Sequence, residues 1–329
     1  MTGRPRPARG TAPVLAVLAV LLVALAFAGP AYAEPDGYLA LLKRAAPLVV
    51  LAIGQYFVVV SGGYDLSVGS LVTAGVVIAA RLISGDDANT WWVIALLLAF
   101  GALVGLVNGL ITTKLLVPSF IVTLGVLLVL DGAVFLWTGG APRGALSPSF
   151  RAFGRGGFDV PVLGQVPWSV VVLLGVLAGA VLFMRGGTGR TLLAVGDNDT
   201  AVRLAGGRVD RLRVLAFVLS GLLAALAAVL LAGFAGVSAQ VGAGLEFRAI
   251  TAVVLGGVLL GGGRGSVVAA AAGALSLEAL FSLLNLLGVA GALDSAVQGL
   301  ILIAAVAYAA RGTGPRRVLR PRETGTVIP

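Results

Sequence analysis

Ser61-Gly62-Gly63-Tyr64-Asp65-Leu66-Ser67-Val68-Gly69-Ser70 sets an adjacent glycine pair, an acid and several hydroxyls between two apolar runs. Apolar runs of about 20 residues are what a helix needs to cross the hydrocarbon core of a bilayer. The glycine pair implies that the backbone breaks between two such helices. A break at that depth is tolerated only where protein buries it or water reaches it. An acid in such surroundings is a functional candidate by default. The stretch therefore reads as a helix break inside a membrane protein.

Composition agrees. Of 329 residues, 59% are hydrophobic and 11% charged, against roughly 25% charged in a soluble domain. Mean hydropathy is +1.06. The net charge of +9 is spread over short loops rather than gathered on one polar face, which argues against nucleic acid and for membrane orientation. The chain has no cysteine and no histidine. Disulfides, thiol nucleophiles, the usual zinc sites and histidine bases are thereby excluded. Neither Lys43 nor Lys114 follows a glycine, so no phosphate-binding P-loop is present. No Gly-x-Ser-x-Gly elbow occurs either. The expectation is a chain without catalytic residues, metal or cofactor.

Apolar spans fall at about 11–33, 41–60, 66–84, 91–114, 118–138, 169–185, 213–235, 248–262, 266–288 and 293–310. They predict an all-α polytopic membrane protein with about ten transmembrane helices. With ten spans, 16 of the 23 Lys and Arg residues lie on the side of both termini. The excess of cations marks that side as cytoplasmic. Residues 1–10 are then a cytoplasmic N-terminus, 11–310 a transmembrane domain and 311–329 a basic cytoplasmic tail. Arg4, Arg6 and Arg9 before the apolar run Val14 to Ala28, with Ala31-Tyr32-Ala33 after it, also fit a cleavable signal peptide. An uncleaved first helix and a cleaved leader both stand.

Two polar segments interrupt the pattern. The external one, about 139–168, carries Pro142, Pro148, Pro161 and Pro167 and reads as turn-rich. The cytoplasmic one, about 185–213, is strongly basic. Within it Asn198 or Asp199 can cap a short helix over 200–205, and Gly206 can end it. Such a helix under the membrane is a plausible docking element for a soluble partner.

Four stretches resemble the permease subunits of ATP-binding-cassette importers, in the ribose, xylose, arabinose and galactose branch related to branched-chain amino-acid permeases. They are Ser61 to Ser70; Gly105-Leu106-Val107-Asn108-Gly109 leading to Pro118 through Gly125; Gly189 through Gly206; and Ala252 to Gly257 with Gly261 to Ser266. The resemblance covers roughly 40–310. It implies a dimer with itself or a sister permease, a cytoplasmic ATP-binding subunit, an external solute-binding protein and a bacterial-type plasma (inner) membrane. It also implies passage of a monosaccharide, with ATPase coupling through Asp199, Thr200, Ala201, Val202 and Gly206. The family's coupling motif usually reads Glu-Ala-Ala, where this chain has Thr200, Ala201 and Val202. The usual Arg-Gly pair is replaced by Asp131-Gly132.

Candidate residues of the translocation path or helix break are Gly62, Gly63, Asp65, Ser67, Asn108, Thr123 and Asp131. For Asp65, a local cap onto the amides of Ser67 or Val68 competes with a path role, and the two are compatible. Gln55, Asn108 and Thr123 are also the groups that tie helices together by hydrogen bonds. Asp131 and Glu278, as acids at membrane depth, must be paired, protonated or wet. Two rivals stand beside sugar import. One is a branched-chain amino-acid or nucleoside permease. The other is an ion-coupled secondary transporter using Asp65, Asp131 and Glu278. The breaks at 62–63 and 261–265 hint at an internal repeat.

Overall fold

The computed structural model describes residues 11–161, 164–289 and 291–311. The expected N-terminal segment 1–10 and nearly all of the basic tail lie outside them. In chain order the helices are α1 (Ala12–Ala28), α2 (Pro35–Val60), α3 (Val68–Ile83), α4 (Thr90–Lys114), α5 (Ser119–Thr138), α6 (Pro148–Arg155) and α7 (Trp168–Arg185). There follow α8 (Gly187–Asp197), α9 (Asp199–Leu204), α10 (Val209–Ala235), α11 (Leu245–Leu255), α12 (Val267–Leu286) and α13 (Asp294–Arg311). One antiparallel hairpin, β1 (Gly157–Val160) with β2 (Gly164–Pro167), pairs Gly157 with Pro167 and Val160 with Gly164.

Each of the ten expected spans contains one helix. Six of these, α2, α4, α5, α7, α10 and α12, are long and apolar enough by themselves to cross a membrane. Of the others, α1, α3 and α11 have 17, 16 and 11 residues. The span expected at 248–262 is helical only as α11, whose 11 residues rise about 16 Å, roughly half the hydrocarbon thickness. Gly257, Gly262, Gly263 and Gly265 all take positive φ after it and end the helix.

The core sits on α2 and α10. From Ala45 to Val60 every side chain of α2 is buried, as expected for a helix that is apolar all round. Outside, the protein is apolar too: Val129 on α5 is 69% exposed and Leu136 is 86% exposed. Lipid tails are the solvent that makes such a face stable, so burial of oil cannot by itself hold these helices together. Close packing does. Gly101, Gly105 and Gly109 recur every fourth residue along one face of α4. A Cβ at Gly101 would run into the Gly221 carbonyl, at Gly105 into the Phe217 carbonyl, and at Gly109 into the backbone of Val214. All three obstacles belong to α10, so the two backbones touch where a side chain would hold them apart.

The polar segments lie at opposite ends of α10. At one end α6 packs on it, with Gly154 against Gly233. The start of α6 is set by Ser147, whose hydroxyl accepts from the Phe150 amide at 3.2 Å, and by Pro148 in the first turn. At the other end lie α8 and α9.

Replacing Gly105 by Leu should separate α4 from α10 and destabilise the fold by about 1–3 kcal/mol, the usual effect of overpacking. Thermal unfolding in detergent should show a lowered midpoint. The same change at Gly175 on α7, where a Cβ meets nothing within 4 Å, should leave the midpoint unchanged.

Candidate functional site

Between α2 and α3, residues 61–67 lie outside regular helix, with the Ser61 and Gly62 amides closing a turn on the Val58 and Val59 carbonyls and the Ser67 carbonyl accepting from the Leu71 amide. A buried backbone must find partners elsewhere, and here several are supplied by particular groups. The Gly63 amide donates to the Val58 carbonyl at 3.0 Å. The Tyr64 amide donates to the Ser119 hydroxyl at 3.0 Å, and Thr123 Oγ1, which donates to the Ser119 carbonyl at 2.9 Å, also lies 3.3 Å from the Tyr64 carbonyl. Both partners belong to α5. Gln55, fully buried on α2, is oriented so that Nε2 donates to the Asp65 carbonyl at 3.0 Å and Oε1 accepts from the Asp65 amide at 3.3 Å. Gly62 takes φ +89°, which a side chain would strain.

The Asp65 carboxylate is 1% exposed and is surrounded by donors. Its Oδ1 accepts from the Ser67 amide at 3.1 Å and the Ser67 hydroxyl at 2.6 Å. Its Oδ2 accepts from the Ser220 hydroxyl of α10 at 2.8 Å. Ser67 Oγ in turn accepts from Asn108 Nδ2 of α4 at 2.9 Å. One acid thus joins the break to α3, α4 and α10. The helix begins at Val68, and Asp65 reaches the Ser67 amide just before it.

A second break separates α11 from α12, and the two breaks touch. The Gly263 amide donates to the Val60 carbonyl at 2.9 Å. The Tyr64 hydroxyl donates to the Leu260 carbonyl at 2.9 Å. Against this junction lies the end of α8: a Cβ at Gly196 would overlap both the Val60 carbonyl and the Gly263 amide. Just beyond, Asn198 caps α9, its Oδ1 accepting from the Ala201 amide at 3.0 Å. Gly206 ends α9 with φ +79°, and the Gly207 amide closes the turn on the Val202 carbonyl at 2.8 Å. Ala201 is exposed, and Leu204 is 85% exposed. The polar segment with the short helix therefore rests on both helix breaks at once.

Residues 37–306 match the family described as the branched-chain amino acid transport system / permease component. The chain belongs to this permease family. It is 34% identical over 296 residues to the ribose import permease protein RbsC of Escherichia coli (strain K12), covering 89% of this chain and 91% of that one. It is 37% identical over 292 residues to the autoinducer 2 import system permease protein LsrC of Enterobacter sp. (strain 638), covering 88% of this chain and 83% of that one. The Bacillus subtilis (strain 168) ribose import permease protein RbsC is 35% identical over 298 residues, 88% and 89% of the two chains. No solved structure matches.

In this permease Gly62, Gly63, Asp65, Ser67, Asn108 and Thr123 come together around one break. Asp131 is elsewhere, exposed on α5. The ion pairs among the described residues join Arg203 to Asp210, Arg213 to Asp199, Arg248 to Asp294 and Arg264 to Asp197, and none includes Asp131. Glu278 lines a cavity of about 510 Å³ together with Arg44, Arg248 and Asp294, so it faces cations. Asp199, Thr200, Ala201 and Val202 form α9 and Gly206 its end.

Three residues at these sites escape a reading of the sequence. Ser220 holds Asp65 but is one small residue in an apolar helix. Arg213 counts in the sequence only as one more basic residue; its Nη2 lies 3.2 Å from Asp199 Oδ2 and its Nε donates to the Ser61 carbonyl at 3.4 Å. Glu246 falls just before the expected span at 248, yet it is buried in the first turn of α11, against Gly69 of α3. An acid in a first turn is the available signal, since helix N-termini favour negative charge.

Asp65→Ala should strand the Ser67 and Ser220 hydroxyls and lower stability by about 1–3 kcal/mol. Asp65→Asn, which keeps the shape and one acceptor, should lose less. Thermal unfolding of the purified variants in detergent tests the order.

Proposed function

We propose that this permease is the membrane-spanning subunit of an ATP-driven importer and forms the path for a monosaccharide delivered by an external binding protein. The import permeases named for ribose and autoinducer 2, alike over most of this chain, support small hydroxyl-rich cargo. The observation that carries the reading is the contact of the α8–α9 segment with both helix breaks. A transporter driven by a separate ATPase needs an exposed docking element fixed to its moving helices. The α9 segment, Asp199, Thr200, Ala201, Val202 and Gly206, offers one, and exposed Leu204 adds apolar contact area.

In this reading the ten apolar helices are ten spans and both termini are cytoplasmic. Segment 256–266 completes the passage that α11 begins. The α9 end of α10 is cytoplasmic, the α6 and hairpin end is external, and the chain works as a dimer. ATP binding on the partner pushes α9, and the broken helices shift between inward-open and outward-open arrangements. Gly62, Gly63, Asp65, Ser67, Asn108 and Thr123 form the pivot beside the path, while Asp131 is free to face it or the second permease.

The carboxylates argue against an ion-coupled carrier. Asp65 is occupied by three donors and Glu278 sits with Arg44 and Arg248. Uptake into proteoliposomes containing the full complex should require ATP and the ATPase subunit. Uptake that persists without the ATPase and stops when a proton gradient is dissipated would overturn the proposal.

Leu204→Asp combined with Ala201→Glu should cut ATP-driven uptake at least tenfold while membrane levels stay normal. Because the native chain lacks cysteine, a single cysteine at Thr200 also reports the side: it should react with an impermeant maleimide only from the cytoplasm.

A further inference from the structure

Arg213 occupies a position that its charge alone does not explain. It lies near the start of α10, half-buried, and its guanidinium reaches two segments distant in sequence. Nη2 contacts Asp199 at the head of α9 at 3.2 Å, and Nε donates to the carbonyl of Ser61, the first residue of the break, at 3.4 Å. About two turns further along the same face of α10, Ser220 holds the Asp65 carboxylate at 2.8 Å. One helix thus grips the near end of the break through Arg213 and its far end through Ser220.

We propose that Arg213 is the positioning residue that transmits movement of α9 to the helix break, an inference that rests on α9 being the docking element for the ATPase. A guanidinium suits this role because its planar fork offers several donors at fixed angles. It can hold a carboxylate on one edge and a backbone carbonyl on another, where an ammonium is a single point. The Ser61 carbonyl is available because Gly62 turns the chain out of the helix with φ +89°. The neighbouring Val60 carbonyl is taken by the Gly263 amide at 2.9 Å. Displacement of Ser61 is therefore passed to the second break through the adjoining residue. Arg203 does not compete for this role: it pairs with Asp210 at 2.6 Å in a partly exposed position and reaches no break.

The test uses the full complex with its ATPase in proteoliposomes, and a permease carrying Ser61→Cys, the sole thiol of the chain. The thiol is buried in this structure, where Ser61 is 1% exposed, so its rate of maleimide labelling reads opening of the break. With Arg213 present, ATP should change that rate severalfold. Arg213→Met, which keeps length and packing but no donor, should retain the bound ATPase and its basal hydrolysis, lose the ATP-dependent change in labelling and lower uptake at least tenfold. Arg213→Lys, which keeps the charge, should fold normally and give intermediate uptake. Exchanging the pair, Asp199→Arg with Arg213→Asp, restores the ion pair but gives Ser61 no donor, so uptake should stay low. Full ATP-dependent labelling and uptake in Arg213→Met or Arg213→Lys, or full rescue by the exchange, would overturn the relay and leave docking intact. Normal uptake and ATPase binding in the Leu204→Asp, Ala201→Glu variant would instead remove the docking reading, and the relay with it.

Discussion

The backbone of residues 63–67 runs largely buried between two helices with few regular helical hydrogen bonds, and most of the site's construction answers that constraint. A peptide group left unpaired in hydrocarbon destabilises by several kcal/mol. Gln55 and Ser119 therefore serve the main chain of Tyr64 and Asp65 rather than a solute, and Thr123 bonds back to its own helix beside them. Asp65 extends the same solution to its own side chain, where donors from Ser67 in the break and Ser220 on α10 offset its desolvation. Residues that first suggest a sugar-binding path are thus mostly engaged in holding an irregular segment in one conformation. A pivot needs this property: it must be fully bonded in the state seen, yet made of few enough bonds to rearrange together.

Small residues perform the second task. Gly101, Gly105 and Gly109 let α4 meet α10 at backbone distance, and Gly196, Gly62 and Gly262 let the end of α8 and the two breaks converge on one point. With lipid outside, there is no hydrophobic drive to press helices together, so contact area and interhelical hydrogen bonds decide. The glycine content of the chain, 48 of 329 residues, is in good part the sum of such contacts and of positive-φ turns.

Much of this was legible in the sequence. The apolar runs located the six helices long and apolar enough to cross a membrane, because hydropathy over 20 residues averages out local detail. The break was readable from Gly62-Gly63 and the α9 cap from Asn198-Asp199, since both depend on neighbours in sequence. The extent of α11 was not, because an apolar stretch ending in glycines looks the same whether or not it completes a span. Ser220 and Arg213 were invisible for another reason. Their meaning comes from Asp65, Ser61 and Asp199, far off in sequence, and nothing local distinguishes one serine or arginine from another. Asp131 was singled out by its departure from the family pattern, yet it lies away from the break, on an exposed face of α5.

Hydrogen exchange on the full complex, with and without ATP, measures the link between the polar loop and the break most directly. The amides of Gly63, Tyr64 and Ser67 should change protection together with those of 196–207 when ATP is added, while the hairpin at 157–167 stays unchanged. Changed protection over 196–207 with an unaltered break would contradict the account.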